Sequence, residues 1–184
     1  MSRLAEQQQA LLALIKNKPL NGCQDEWVTR ISHSPELEMM REIARWWRRY
    51  QVSAQCRFTA RLLKRSGLFE DAVNRYFEQT ATSPFIEELA RGFLSSFAGH
   101  TVGLAQSVAL TELAMLNVAS GEKAFVHWDR NPDSVFSALE KGTPLPDKDD
   151  EFDYHLQIGP QLECVRVPSG PSRTKPYHRQ DCEN

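Results

Sequence analysis

The side chains best suited to metal or nucleophilic chemistry are five histidines (His33, His100, His127, His155, His178) and four cysteines (Cys23, Cys56, Cys164, Cys182). Their spacing serves neither use. There is no HExxH, no histidine pair at helical spacing and no CxxC, so no zinc-type ligand set is written into a single element. No GxSxG elbow, phosphate-cradling glycine loop or GxGxxG after a strand is present either. The expected catalytic and metal sets of this chain are therefore empty. His127 and His155 fall on two predicted strands and could be neighbours there, and the plainer reading makes them polar positions on a solvated sheet face.

Glu112 is the acid that stands out. In the apolar helix predicted over 101–119, Leu104, Val108, Met115 and Leu116 form one arc, and Glu112 projects from its middle. Such an acid is either buried and paired, with Arg57 or Arg61 as the expected partner, or it is a functional acid with a raised pKa. A second group is Trp46-Trp47-Arg48-Arg49-Tyr50, which mixes aromatics with cations. One reading is a nucleic-acid surface. The preferred reading makes Trp47 core, and Trp46, Arg48, Arg49, Arg57 and Arg61 a protein-binding face, since Trp and Arg are enriched at interfaces.

Charge separates two regions. Residues 41–65 hold eight bases against Glu42 alone, a local +7, whereas residues 121–163 hold ten acids and four bases, a local −6. With a net charge of −2 the chain is not one dominated by nucleic acid, and two opposite surfaces point to two binding roles. No apolar run approaches the roughly 18 residues of a membrane span. The N-terminal MSRLAEQQQALLALIKNK lacks a continuous apolar core and reads as an amphipathic helix, not a signal peptide. The expected setting is cytoplasmic, with reduced thiols.

The elements that must position these residues follow from period and punctuation. Leu4, Leu11, Leu12 and Ile15 predict a first helix ending near Pro19. Ser34-Pro35 is an N-cap with first-turn proline, opening a helix whose core face is Leu37, Met40, Ile43, Ala44 and Trp47. A bend is expected around Tyr50 to Ser53, followed by a stripe of Ala54, Phe58 and Leu62 and a stop at Ser66-Gly67. Further helices are predicted over 68–79, from Ser83-Pro84 through Phe85, Leu89, Phe93 and Phe97 to Gly99, and over 101–119 to a stop at Ser120-Gly121. Beyond that, 122–129 reads as a strand and Asn131-Pro132 caps a short helix to Gly142. Residues 152–158 alternate as a half-buried strand. Gly159-Pro160 turns, and 162–167 is a last strand carrying Leu162, Cys164 or Val165, and Val167. The fold class is α+β: an N-terminal multi-helix domain (1–120), a small strand-helix-strand-strand domain with an antiparallel sheet (121–167), and a flexible tail (168–184). A sheet this small leaves an edge able to take an extended peptide as an added strand.

The runs YQVSAQCRFTARLLKRSGLFEDAVNRYFEQTATSPFIEELARGFLSSF, VALTELAML, FVHWDRNPDSVFSALEKGTPLP and FDYHLQIGPQLECVRV, together spanning about residues 36–167, resemble a family of helical accessory proteins. These accompany multinuclear iron oxidases that modify ribosomally made peptides, and within the family the likeness is to the MbnC-like proteins of methanobactin biosynthesis. An accessory protein of a different cysteine-modifying oxidase is the runner-up, and some relatives with this helical domain carry a DNA-binding label. The resemblance implies a heterodimer with an MbnB-like multinuclear iron oxidase, which holds the iron. It also implies capture of an MbnA-like precursor peptide, whose cysteines become oxazolone and thioamide groups of the copper chelator. This chain would then be a non-catalytic subunit with no cofactor of its own. It would bind the leader along 123–129 or 152–158, through Lys123, Phe125, Val126, His127, Trp128, Asp129, Tyr154, His155 and Gln157. The competing readings are a DNA-binding regulator using segment 41–65 and an enzyme built around Glu112.

Overall fold

In the computed structural model the described residues are 3–16, 26–80, 86–118, 123–159 and 163–168. Eight helices and three strands lie among them. The order is α1 (Arg3–Ile15), α2 (Glu26–Ser32), α3 (Pro35–Gln55), α4 (Arg57–Arg65), α5 (Phe69–Gln79), α6 (Ile86–Gly99), α7 (Leu104–Asn117), β1 (Ala124–Trp128), α8 (Pro132–Lys141), β2 (Phe152–Ile158) and β3 (Glu163–Pro168). The chain divides into two compact units, Met1–Leu116 and Asn117–Asn184. The class is α+β, a mostly helical N-terminal part with a small antiparallel three-stranded sheet.

Local chemistry explains most boundaries. The Ser34 hydroxyl accepts the Leu37 N–H at 3.3 Å, and Pro35, which has no N–H to leave unpaired, starts α3. Gly67 closes the turn after α4 at φ +70°, a conformation that costs a side-chain-bearing residue energy. Asn131 caps α8 by accepting from Asp133 and Ser134, and Gly142 ends it at φ +73°.

Several expectations are corrected. α3 does not bend at Tyr50 to Ser53; it runs unbroken to Gln55 and the chain breaks at Cys56, whose φ of −106° and ψ of 59° leave helical space. The stripe Ala54, Phe58, Leu62 is not the buried one. Val52, Cys56, Thr59, Ala60 and Leu63 are buried instead, a stripe that keeps three-to-four spacing across the break. Of the expected core face of α3, only Leu37 is buried; Met40, Ile43 and Trp47 are exposed. Helix α2 was not expected, being too short to show periodicity. Gly99 is the last residue of α6, and the left-handed glycine lies at Gly103, φ +66°, just before α7. In β3 all six residues are exposed, Cys164, Val165 and Val167 included. The expectations at Pro19, Ser83-Pro84, Phe85, Ala119, Ser120-Gly121, Pro160, Leu162 and the tail beyond Pro168 lie outside the described residues.

In the helical unit, Val52, Cys56, Ala60, Leu63, Phe69, Val73, Tyr76, Leu89, Ala90, Phe93, Leu94, Ala98 and Ala109 form one core from α3 to α7. A second, smaller cluster joins α1, α2 and α3 through Ala10, Leu14, Val28 and Leu37. In the other unit the strand order is β1-β2-β3, with Phe125 opposite Gln157 and His127 opposite His155, which in turn faces Val165. Val126, Trp128, Tyr154, Leu156 and Ile158 are buried, and Trp128 meets Phe136 of α8 edge-on at 5.3 Å.

Helix α6 touches α5 closely at Gly92, where a Cβ would run into the buried Tyr76 hydroxyl. Gly92→Ala is therefore expected to lose about 1 kcal/mol or more in urea denaturation, overpacking outweighing the gain in helix propensity. Adding Tyr76→Phe removes the obstructing oxygen and is expected to recover that loss. Simple additivity of the two substitutions would contradict the contact.

Candidate functional site

Helix α4 begins without a local cap. Cys56 occupies the N-cap position and its side chain makes no capping hydrogen bond. The missing acceptor comes from α7: Glu112 Oε1 accepts the Phe58 N–H and Oε2 the Thr59 N–H, both at 2.7 Å. These are the second and third N–H groups of the helix, the ones an N-cap side chain normally serves. Burial pushes the Glu112 carboxyl above its ordinary range, opposed by the hydrogen bonds from Thr59 and Phe58 and by the charge of Arg57. Both carboxylate oxygens are thus held by main chain beside Arg57, the residue expected to pair with it. Burial first, then the Glu112 charge, raises the Cys56 thiol as well, which suits packing and not nucleophilic attack.

The aromatic segment lies on the exposed side of α3. Met39, Met40, Ile43, Trp46, Trp47 and Tyr50 are 48–58% exposed. Trp46 and Tyr50 stack at 5.6 Å with 13° between planes, and Trp47 stacks on the same Tyr50 at 5.6 Å. The surrounding cations are engaged. Arg41 donates twice to the Leu14 carbonyl, at 3.0 and 2.8 Å, and pairs with Glu38 at 3.1 Å. Arg45 bridges Glu42 and Glu38, Arg49 pairs with Glu70 at 3.1 Å, and the Arg48 guanidinium lies 4.8 Å over the Phe77 ring. Arg61 is half-buried and Arg57 lies 5.5 Å over Phe58. Part of the local +7 is therefore offset by acids that lie outside the segment in sequence, Glu38 and Glu70 in ion pairs and Glu112 beside Arg57. That weakens, without cancelling, the field a phosphate backbone would meet.

The sheet presents one polar face. Register places Phe125, His127, His155, Gln157, Asp153, Val165 and Val167 together on it, and Phe125 is 71% exposed. His127 and His155 do meet, with ring centroids 5.4 Å apart, and His127 Nε2 lies 3.3 Å from Asp153 Oδ1. Both histidines are exposed. Of the residues expected to hold a peptide, Val126, Trp128 and Tyr154 are buried, so only the main chain of Val126 and Trp128, on β1, is left for such a role. Lys123 is exposed, and Asp129, kept below the usual carboxylate range by the Arg130 guanidinium, is tied to that neighbour at 2.9 Å. Strand β2 lies between β1 and β3, so 152–158 has no free edge and the leader cannot add there. Edge strand β3 was missed as a candidate, since alternation alone does not tell an edge from a centre.

Behind this face Asp149 gathers the loop. It accepts the Tyr154 hydroxyl at 2.7 Å and the N–H groups of Glu151 and Phe152, and Arg166 lies 3.9 Å away. The Tyr154 hydrogen bond holds Asp149 below its usual range and Tyr154 above its own. Among the described residues, no three of His, Cys, Asp and Glu gather to hold a metal ion, and no helix is long and apolar enough to cross a membrane. Cys56 and Cys164 are free thiols; Cys23 and Cys182 lie outside the described residues. Comparison with protein-family models, curated proteins and solved structures finds no match.

Glu112→Gln keeps one acceptor but turns an amide N–H toward a backbone N–H, so it is expected to cost ~1–3 kcal/mol of stability at neutral pH. The pH sign distinguishes capping from mere burial. A carboxyl whose folded pKa is raised contributes stability that is present below its unfolded pKa, near 4.5, and lost as pH rises through the folded value. The stability advantage of wild type over Glu112→Gln should therefore shrink across that window and then level off. Urea melts of both proteins taken from pH 4 upward read that difference.

Proposed function

We propose that this chain is a cytoplasmic, non-catalytic subunit of a heterodimeric, iron-dependent oxidase complex that modifies cysteines of a ribosomally made peptide, as MbnC-like proteins do in methanobactin biosynthesis. The observation that carries the reading is the exposed apolar face of α3, Met39 to Tyr50, which is larger than scattered surface residues account for and calls for another chain. An MbnB-like oxidase packs on that face, with Trp46 as anchor, Arg48 and Arg49 beside it, and Arg57 and Arg61 of α4 as the rim. The oxidase supplies the iron and the oxygen chemistry; the residues of this chain bind and orient.

The MbnA-like precursor adds as a strand to the sheet. Two edges are open, and they differ in defence. β3 carries Glu163 and Arg166 and ends in Pro168, features that discourage pairing. β1 has no charge or proline between Ala124 and Trp128 and presents Phe125 to solvent. The leader therefore pairs with β1, its alternate side chains lying beside Phe125 and His127 and a basic or polar flank meeting the acidic loop 147–153.

Co-expression with an MbnB-like oxidase should give a one-to-one complex in size-exclusion chromatography, with iron assigned to the larger chain. Failure to co-elute would sink the reading. Within the complex, Phe125→Lys is expected to weaken precursor binding about tenfold or more while leaving the heterodimer intact. Unchanged affinity there, with loss in Val165→Lys, would move the peptide to β3.

A further inference from the structure

We infer that α3 is a self-recognition element: in the free chain its exposed stripe pairs with the same stripe of a second copy, the two helices running antiparallel about a two-fold axis near Ala44 and Arg45. Met39, Ile43, Trp46 and Tyr50 stand four, three and four residues apart, the spacing of a heptad seam. All four are more than half exposed, so the seam is left largely uncovered among the described residues.

The same spacing read from either end is what makes the seam self-complementary. An antiparallel copy sets Met39 against Tyr50 and Ile43 against Trp46, then repeats both contacts across the axis, as a two-fold interface requires. A thioether on a phenol ring and a branched aliphatic on an indole are favourable contacts. The flanks agree. Met40 and Trp47 lie on one side of the seam, Glu42 and Arg49 on the other, so each apolar flank meets an apolar flank and Glu42 meets Arg49 of the second copy. Residues 35–44 carry Glu36, Glu38 and Glu42 against Arg41, whereas 45–55 carry Arg45, Arg48 and Arg49 and no acid. Antiparallel pairing opposes these halves and the helix dipoles; parallel pairing stacks like on like.

Glu42 and Arg49 already have partners in their own chain, Arg45 and Glu70, and their pairing across the seam is an exchange of exposed ion pairs worth little energy either way. Affinity must come from the six apolar side chains. Their exposed halves offer on the order of 500 Å² per copy, below the roughly 800 Å² of a standard interface, so the dimer is weak and concentration-dependent. The inference stands on the helix alone and does not rest on the oxidase reading. Taken with that reading, oxidase and second copy exclude each other, and binding the oxidase dissolves the homodimer.

Sedimentation equilibrium of the full chain alone tests it. The mass should rise from one chain toward two with concentration. Ile43→Glu and Trp46→Glu should each weaken association by about thirtyfold or more, the size expected for a central anchor. Their far-UV circular dichroism should not change, since both positions are exposed. For orientation, Cys23, Cys164 and Cys182 are replaced by serine, and Met39→Cys and Tyr50→Cys chains are mixed under mild oxidation. A 39–50 disulfide between copies should exceed either self-disulfide. A single-chain mass at every concentration, a dimer indifferent to both substitutions, or dominant self-disulfides would overturn the inference. A chain that is monomeric alone but whose Trp46 is shielded on adding the oxidase would overturn it too, while leaving the proposed function standing.

Discussion

The helical unit depends on one carboxylate placed where a helix cannot cap itself. The chain leaves helical space at Cys56 and re-enters it at once, so α4 starts with N–H groups that neither its own N-cap side chain nor α3 can satisfy. Phe58 and Thr59 are half-buried and buried, respectively, so water is a poor substitute. Glu112 supplies both acceptors from α7, more than fifty residues away, and fixes α7 to the one point where α3 and α4 join. The partial positive charge of the helix start offsets part of what it costs to bury an acid. Glu112 is therefore a structural residue in a costly place, with both carboxylate oxygens engaged by main-chain donors of α4.

The basic segment shows the same logic at lower cost. Arg41 closes the end of α1 by donating twice to Leu14, doing for a C-terminus what Glu112 does for an N-terminus. Arg49 ties α3 to α5 through Glu70, and Arg48 lies on Phe77 of the same helix. Each exposed pair contributes little by itself. Together they turn what reads in sequence as a block of cations into a set of inter-helix joints, which is why charge counted along the chain overstates the positive surface.

Much of the architecture was legible because it rests on local rules. Ser34-Pro35, Ser66-Gly67 and Asn131-Pro132 mark helix ends through side-chain acceptors and backbone conformations that no distant contact can alter. The alternation of 152–158 gave β2 to the residue, with Tyr154, Leu156 and Ile158 inward. What failed depends on neighbours. Met40, Ile43 and Trp47 have the right types and spacing for a core, and only the packed structure shows that of this face Leu37 alone is buried, with Val52 the other buried residue of α3. Hydrophobic period reports that a face is apolar, not what covers it. Likewise Glu112 was legible as an anomaly, but its partners are main-chain N–H groups, which have no signature in sequence. The central place of β2 is a matter of sheet order, again invisible to alternation.

These failures share a direction. In each, the structure leaves uncovered, or covers from far away, something the local pattern treats as complete. On α3 the apolar period continues over Met39 to Tyr50, which the described residues of the helical unit leave about half exposed. On β1 the run from Ala124 to Trp128 holds no charge or proline, yet the strand is an edge of the described sheet. A sequence shaped only for its own stability would place charges at both, as β3 does with Glu163 and Arg166. Keeping Trp46, Tyr50 and Phe125 in water carries a cost in aggregation risk that no contact within either unit offsets. Under the proposed function such side chains are kept because another chain covers them part of the time, and the two exposed features would answer to two kinds of cover: a helix face for side chains, a strand edge for main chain.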